Sequence, residues 1–175
     1  LEKLKNDIIS KGSSEIGLYR LGIGLHCYED IFSHQDFIGF RSDYNDVNLL
    51  EGDSGEIHIK LFKDYVPIGH APVAHNPDLP YQEWSYSRDG QVKEINNLED
   101  RFLPALKDIY NFIVIFLEEN TQYALPNTGP KDFMDIKQEI ISLPKFEGDT
   151  EERHRNWLHK IKSNEFDLEG YNSID

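Results

Sequence analysis

The sequence predicts a mainly α fold: a helical bundle with one long metal-binding helix, an irregular proline-rich loop and room for one short β-hairpin. Three observations carry this reading. Apolar residues recur at the helical period over most of the chain. Four of the eight prolines crowd into residues 67–80, which rules out regular structure there. Only residues 56–62 alternate at a strand's period of two, with Ile57, Ile59 and Leu61 set against His58 and Lys60.

The elements follow in order. Residues 2–11 form a short charged amphipathic stretch with Leu4, Ile8 and Ile9 as its apolar positions. Gly12, Ser13 and Ser14 break it and offer Ser13 or Ser14 as a helix N-cap. Residues 15 to about 37 read as a long helix, with no proline to interrupt it. Gly17, Gly22 and Gly24 each cost that helix up to about 1 kcal/mol against Ala. Their presence predicts another backbone packed closely on that face. Residues 43–55 are polar and loop-like. The strand at 56–62 needs a partner, and residues 91–95 are the segment available to pair with it. Residues 97–119 form the next helix, with Leu98, Phe102, Leu106, Ile109, Ile113 and Leu117 in phase. Pro104 moves the start of regular helix to near Leu103. Residues 132–143 make a further amphipathic helix, ended by Pro144. Residues 149–162 make the last, with Trp157, Leu158 and Ile161 inward. Residues 1–163 then read as a single helical metal-binding domain and 164–175 as an acidic tail.

Composition narrows the function. The 175 residues hold 18 basic and 32 acidic side chains, for a net charge of −14. That balance disfavours a stable nucleic-acid complex, which needs Lys and Arg against phosphates. The single cysteine, Cys27, excludes an internal disulfide, and there is no CxxC zinc pattern. The longest apolar run, residues 112–117, is far short of the roughly 18 residues of a membrane span, so no transmembrane segment is expected. The chain begins at Leu1 rather than Met, which reads as a piece of a longer polypeptide.

Two segments carry chemistry. His26, Asp30 and His34 are spaced i, i+4, i+8 on the long helix. At about 100° per residue they fall within an arc of about 80° and span about 12 Å along the axis. Imidazole nitrogen and carboxylate oxygen both suit zinc or a similar divalent ion. The span is long for one ion, and two ions sharing Asp30, roughly 3.5–4 Å apart, fit it better. The proline-rich loop supplies His70, His75 and Asp78 on a stiffened backbone. Glu29 and Asp36 are placed to orient the histidines, and Tyr81, Trp84 and Tyr86 to line a pocket. His154 and His159 lie in the charged last helix and read as solvated.

These residues also carry a resemblance. The run from Leu25-His26 through His34-Gln35-Asp36-Phe37-Ile38-Gly39 resembles an "LHTYxDxxxHQxFxG" motif of poorly characterised bacterial proteins. Gly69-His70 to Trp84 resembles the "GHxxxxHxPDxPxxxW" segment that follows it there. Asn96-Asn97 and Arg101-Phe102 match the subsequent turn and helix opening. The likeness spans about residues 20–115. A more distant similarity joins the His-x-x-x-Asp helix to the all-helical zinc architecture of bacterial phospholipase C and fungal single-strand nucleases. The resemblance implies His26, Asp30, His34, His70, His75 and Asp78 as metal ligands, with Asp30 also the catalytic carboxylate. It implies zinc as cofactor and hydrolysis of a small-molecule or lipid-type phosphoester. In the zinc phosphodiesterases further ligands come from the N-terminal region, whereas this chain has no histidine before His26. The rival expectation is a non-catalytic, metal-stabilised helical binding domain. A third is an effector or toxin fragment.

Overall fold

The computed structural model describes residues 2–53, 67–124 and 129–163. Among these lie five α-helices and one three-stranded antiparallel sheet. The fold is therefore mixed α and β, and the expected helical bundle is corrected. The difference arises locally. Glu83–Arg88 and Gln91–Asn96 form strands β2 and β3, in register from Glu83 opposite Asn96 to Arg88 opposite Gln91. Asp89 and Gly90 join them with φ of 51° and 77°. Two consecutive positive φ values make a tight hairpin turn, for which Asp-Gly is a preferred pair. The strand expected at 91–95 thus exists, but its hairpin partner is Glu83–Arg88. The segment at 56–62 lies outside the described residues. Strand β1, Asn48–Glu51, adds to the other edge of β2 with a register shift between Leu49 and Glu51.

The chain divides into two compact units, 1–130 and 131–175. The first holds two apolar clusters. Helices α1 (Glu2–Ser10), α2 (Gly17–Ser33) and α3 (Leu103–Glu119) bury Ile8, Phe112 and Phe116, with Leu21 and Leu25 packed against them. The second cluster lies on the sheet: Val47, Val73, Trp84, Tyr86 and Ile95, with Phe37 and Leu49 at its margin. Of the three glycines of α2, Gly17 meets another backbone as expected, whereas Gly24 meets a side chain. A Cβ at Gly17 would lie 1.8 Å from the carbonyl oxygen of Gly12, and one at Gly24 would lie 2.1 Å from Ile8 Cδ1. Gly22 meets nothing within 4 Å, so close packing does not explain it.

The second unit contains α4 (Phe133–Ile141) and α5 (Thr150–Lys162). Asp132 caps α4 by accepting from the Met134 N–H. Asp149 and Glu152 form a reciprocal capping box at the start of α5. Trp157 is exposed on α5 rather than inward. The acidic tail at 164–175 lies outside the described residues.

Helix α2 stops at Ser33, short of the expected Phe37, and the reason is a buried cation. Arg101 is 1% exposed and sits in a π-helical turn, Leu98–Phe102, just before α3. Its guanidinium donates to the Ser33 and Gln35 carbonyls and to the Asp36 carboxylate. A helix end leaves carbonyls without intrahelical partners, and a cation there also meets the negative end of the helix dipole. Asp36 then takes φ of 78°, a left-handed conformation that no helix continues through.

Candidate metal centre

His34 is the first residue beyond α2, and its N–H still donates to the Asp30 carbonyl at 2.9 Å. Its backbone is thus placed by the helix end that Arg101 holds. The loop is brought to it by backbone pairing. Ser42 N–H donates to Pro67 O at 3.1 Å and Gly69 N–H to Ile38 O at 3.0 Å. Arg41 and Ile68 form an isolated antiparallel bridge between the same segments. His70 follows directly and caps a single 3-10 turn, Ala71–Val73. A second such turn, Asn76–Asp78, carries Asp78 and is capped by His75.

An irregular loop must satisfy its own backbone, and three fully buried asparagines do so here. Asn45 accepts from the Ile38 N–H and donates to the carbonyls of Ile38, Phe40 and Pro67. Asn76 exchanges hydrogen bonds with both backbone groups of Asp53 and donates to Val73 O. Asn97 accepts from the Trp84 indole at 2.9 Å and donates to the carbonyls of Asn76 and Leu79. Each amide replaces hydrogen bonds that a strand or helix would have supplied.

The result is a convergent donor set. One ligand atom from each of His34, His70 and Asp78 lies within 4.8 Å of the others. His34 Nε2 is 2.9 Å from Asp78 Oδ1, and His70 Nε2 is 3.8 Å from the same oxygen. The two imidazoles stack at 4.4 Å between centroids. His70 Nδ1 donates to the Ala74 carbonyl at 2.8 Å, because a carbonyl can only accept. That bond turns the other ring nitrogen, Nε2, towards Asp78. An imidazole held through its far nitrogen by a carbonyl is the usual support for a metal ligand. Ala74 has φ of 52° and ψ of −134°, a region that favours glycine. Non-glycine residues held there cost on the order of 1–3 kcal/mol and cluster at functional sites.

Electrostatics follow from the pairing. The hydrogen bond to Asp78 raises His34 above its ordinary 6.5; the charges of Asp78 and Asp30 add to this, while burial and Arg101 oppose it. Burial works against ionisation of Asp78, but the His34 hydrogen bond and the charges of His70, His34 and His75 outweigh it and hold Asp78 below its ordinary 3.8.

The other expected ligands lie outside this group of three. His75 is 3.7 Å from the second carboxylate oxygen, Asp78 Oδ2, and its side chain is 79% exposed. His26 and Asp30 approach each other at 3.8 Å on the exposed face of α2. Asp36 does not orient a histidine: its carboxylate accepts from Lys93 at 2.6 Å and from Arg101. Trp84 and Tyr86 are buried in the sheet cluster, and each also contributes to the wall of a surface cleft. Arg101 and the three asparagines have no role that periodicity or spacing could assign. Buried polar residues have no periodic signature, and only the Arg101-Phe102 and Asn96-Asn97 matches pointed at two of them.

A family model matches this chain over residues 1–175, and its description is a family of unknown function, DUF6765. The chain belongs to the DUF6765 family. No curated protein and no solved structure gives a significant match. Membership of DUF6765 leaves function to the chemistry of the site itself.

Proposed function

We propose that His34, His70 and Asp78 hold a divalent metal ion, zinc by donor chemistry, in a centre that hydrolyses a small or lipid-type phosphoester. The observation that carries this reading is the convergence of two imidazole nitrogens and one carboxylate oxygen within 4.8 Å. Zinc takes nitrogen and oxygen ligands at about 2.0–2.2 Å, which this set reaches with small side-chain movements. Three protein ligands on a half-exposed surface leave a position for water, as catalytic zinc sites do. When bound, such an ion lowers the pKa of its water to near neutrality and polarises a phosphoryl oxygen.

The protein residues have separate tasks. His70 is held in its ligating tautomer by the Ala74 carbonyl. His34 gives up the Nε2 proton that otherwise bridges to Asp78. Asp30 lies near enough for its charge to raise His34, and its half-exposed carboxylate is the general base for the attacking water. His26, 3.8 Å from Asp30, orients that carboxylate or extends the centre to a second ion. His75 serves Asp78 from its other oxygen. The preference for a phosphoester rests on the likeness of the His-x-x-x-Asp motif to zinc phosphodiesterases.

The second reading is a structural clamp. His34 and Asp78 stand 44 residues apart and join the end of α2 to the proline-rich loop, so metal binding there would add folding free energy without catalysis. One experiment separates the two. Protein purified without chelators is analysed for zinc and then assayed on bis-p-nitrophenyl phosphate and a phospholipid, with Asp30→Asn alongside. The hydrolase reading expects activity that zinc restores after chelation and that Asp30→Asn abolishes while retaining the metal. Stoichiometric zinc with no activity on either substrate favours the clamp. Protein with no zinc and none taken up overturns both.

A further inference from the structure

We propose that the cleft over the β2–β3 hairpin binds an oxyanion of the phosphate type. The cleft has a volume of about 340 Å³ and is lined by Tyr86, Arg88, Asp89, Gln91, Val92 and Lys93. Its lining carries two cations against one carboxylate, in a chain with 18 basic and 32 acidic residues. Lys93 is paired with Asp36, whereas the Arg88 guanidinium has no carboxylate partner among the described residues.

Arg88 is the fixed cation of this cleft. Its guanidinium lies 3.9 Å from the Tyr44 ring centroid, 5.3 Å from Tyr86 and 5.7 Å from Phe37. Aromatic faces hold a planar, weakly hydrated cation in one place and offer it no strong acceptor. Among the described residues its one hydrogen bond runs from an Nη to the Asp36 carbonyl, at 2.7 Å. Its Nε is enclosed and without a partner. A guanidinium has five N–H donors, so the demand exceeds what the protein supplies. Lys93, opposite Tyr86 in the sheet, brings a half-exposed ammonium to the same cleft. Its carboxylate partner, Asp36, is shared with Arg101. A guanidinium fixed on aromatic faces, with an ammonium in the same cleft, suits recognition of phosphate oxygens.

The position gives the site a use. Asp36 follows His34 by two residues, and the Phe37 ring that Arg88 covers lies 6.5 Å from the His70 ring. An anion held here sits beside the His34–His70–Asp78 group, although its binding does not depend on a metal there.

The test uses the whole chain in excess chelator, so that no metal carries the anion. Inorganic phosphate and methyl phosphate are titrated at constant ionic strength, with chloride and acetate as controls, and amide shifts are followed by NMR. Saturable binding in the millimolar range or tighter is expected, centred on residues 86–93 and stronger than for acetate. Lys93→Gln should weaken it about tenfold, as should Arg88→Gln, while Asp89→Asn should tighten it. If Arg88→Gln does not fold, Lys93→Gln decides the matter. Phosphate shifts no larger than those of chloride would overturn the proposal. So would unchanged affinity in a folded Lys93→Gln variant. Zinc binding measured separately, without chelator, tells this failure from a failure of the metal centre.

Discussion

The His34–Asp78 pair sets the pH response at the scale of single residues. In metal-free protein His34 is raised from 6.5, so its contribution to stability is complete below that value and is lost as pH rises through its folded pKa. Asp78 is depressed from 3.8, so its contribution holds above that value and is lost as pH falls through its folded pKa. The pair therefore stabilises between those limits. In chelator, the gap in urea midpoint between the parent and His34→Ala should be largest between the ordinary values of 3.8 and 6.5 and should close as pH rises through the raised His34 pKa. A gap that widens with pH would contradict the pairing. On the proposed metal reading zinc would compete with the same Nε2 proton, so its affinity should rise with pH beyond the ordinary imidazole range. Isothermal titration at several pH values measures this, together with the proton released. Arg101 is the other single residue of consequence. Arg101→Met keeps an unbranched apolar stem but leaves the Ser33 and Gln35 carbonyls without their donor and Asp36 with Lys93 alone. It should cost about 3 kcal/mol in chemical denaturation and weaken zinc binding indirectly by releasing His34.

Among the elements, the loop depends on its asparagines as a helix depends on its ladder. Asn97→Ala removes the acceptor for the Trp84 indole and the donor to the carbonyls of Asn76 and Leu79. A loss of about 2–3 kcal/mol is expected, since buried groups are left unpaired rather than returned to water. Thermal melts with and without zinc would show whether the metal recovers part of it. The β2–β3 hairpin rests on Gly90, whose φ of 77° only glycine adopts freely. Gly90→Val should cost about 1–2 kcal/mol and loosen the sheet, seen as faster amide exchange across β2 and β3. The signal for this hairpin is present in the sequence: Asp89-Gly90 divides Trp84-Ser85-Tyr86-Ser87-Arg88 from Gln91-Val92-Lys93-Glu94-Ile95. The hydrophobic alternation in 56–62 competes with it, because short strands look alike until a turn assigns their partner.

Over the whole chain, the acidic balance of −14 is a property of composition, while the Arg88–Lys93 cleft is a property of placement. No described helix is long and apolar enough to cross a membrane, as the short apolar run at 112–117 predicted. Local pattern places the α-helical segments to within a turn or so, because their apolar period and breakers act over a few residues. It also singled out His34, His70 and Asp78, since histidines and carboxylates at helical spacing or on a proline-stiffened loop are rare enough to notice. Which of the six candidate ligands converge follows from packing. That choice depends on where α2 ends, and α2 ends where Arg101 reaches it from 68 residues away in the chain. It depends equally on Asn45, Asn76 and Asn97, which hold an irregular backbone by side-chain hydrogen bonds. Such bonds obey no period, so local pattern cannot forecast them. They form only once the segments they join have been packed together.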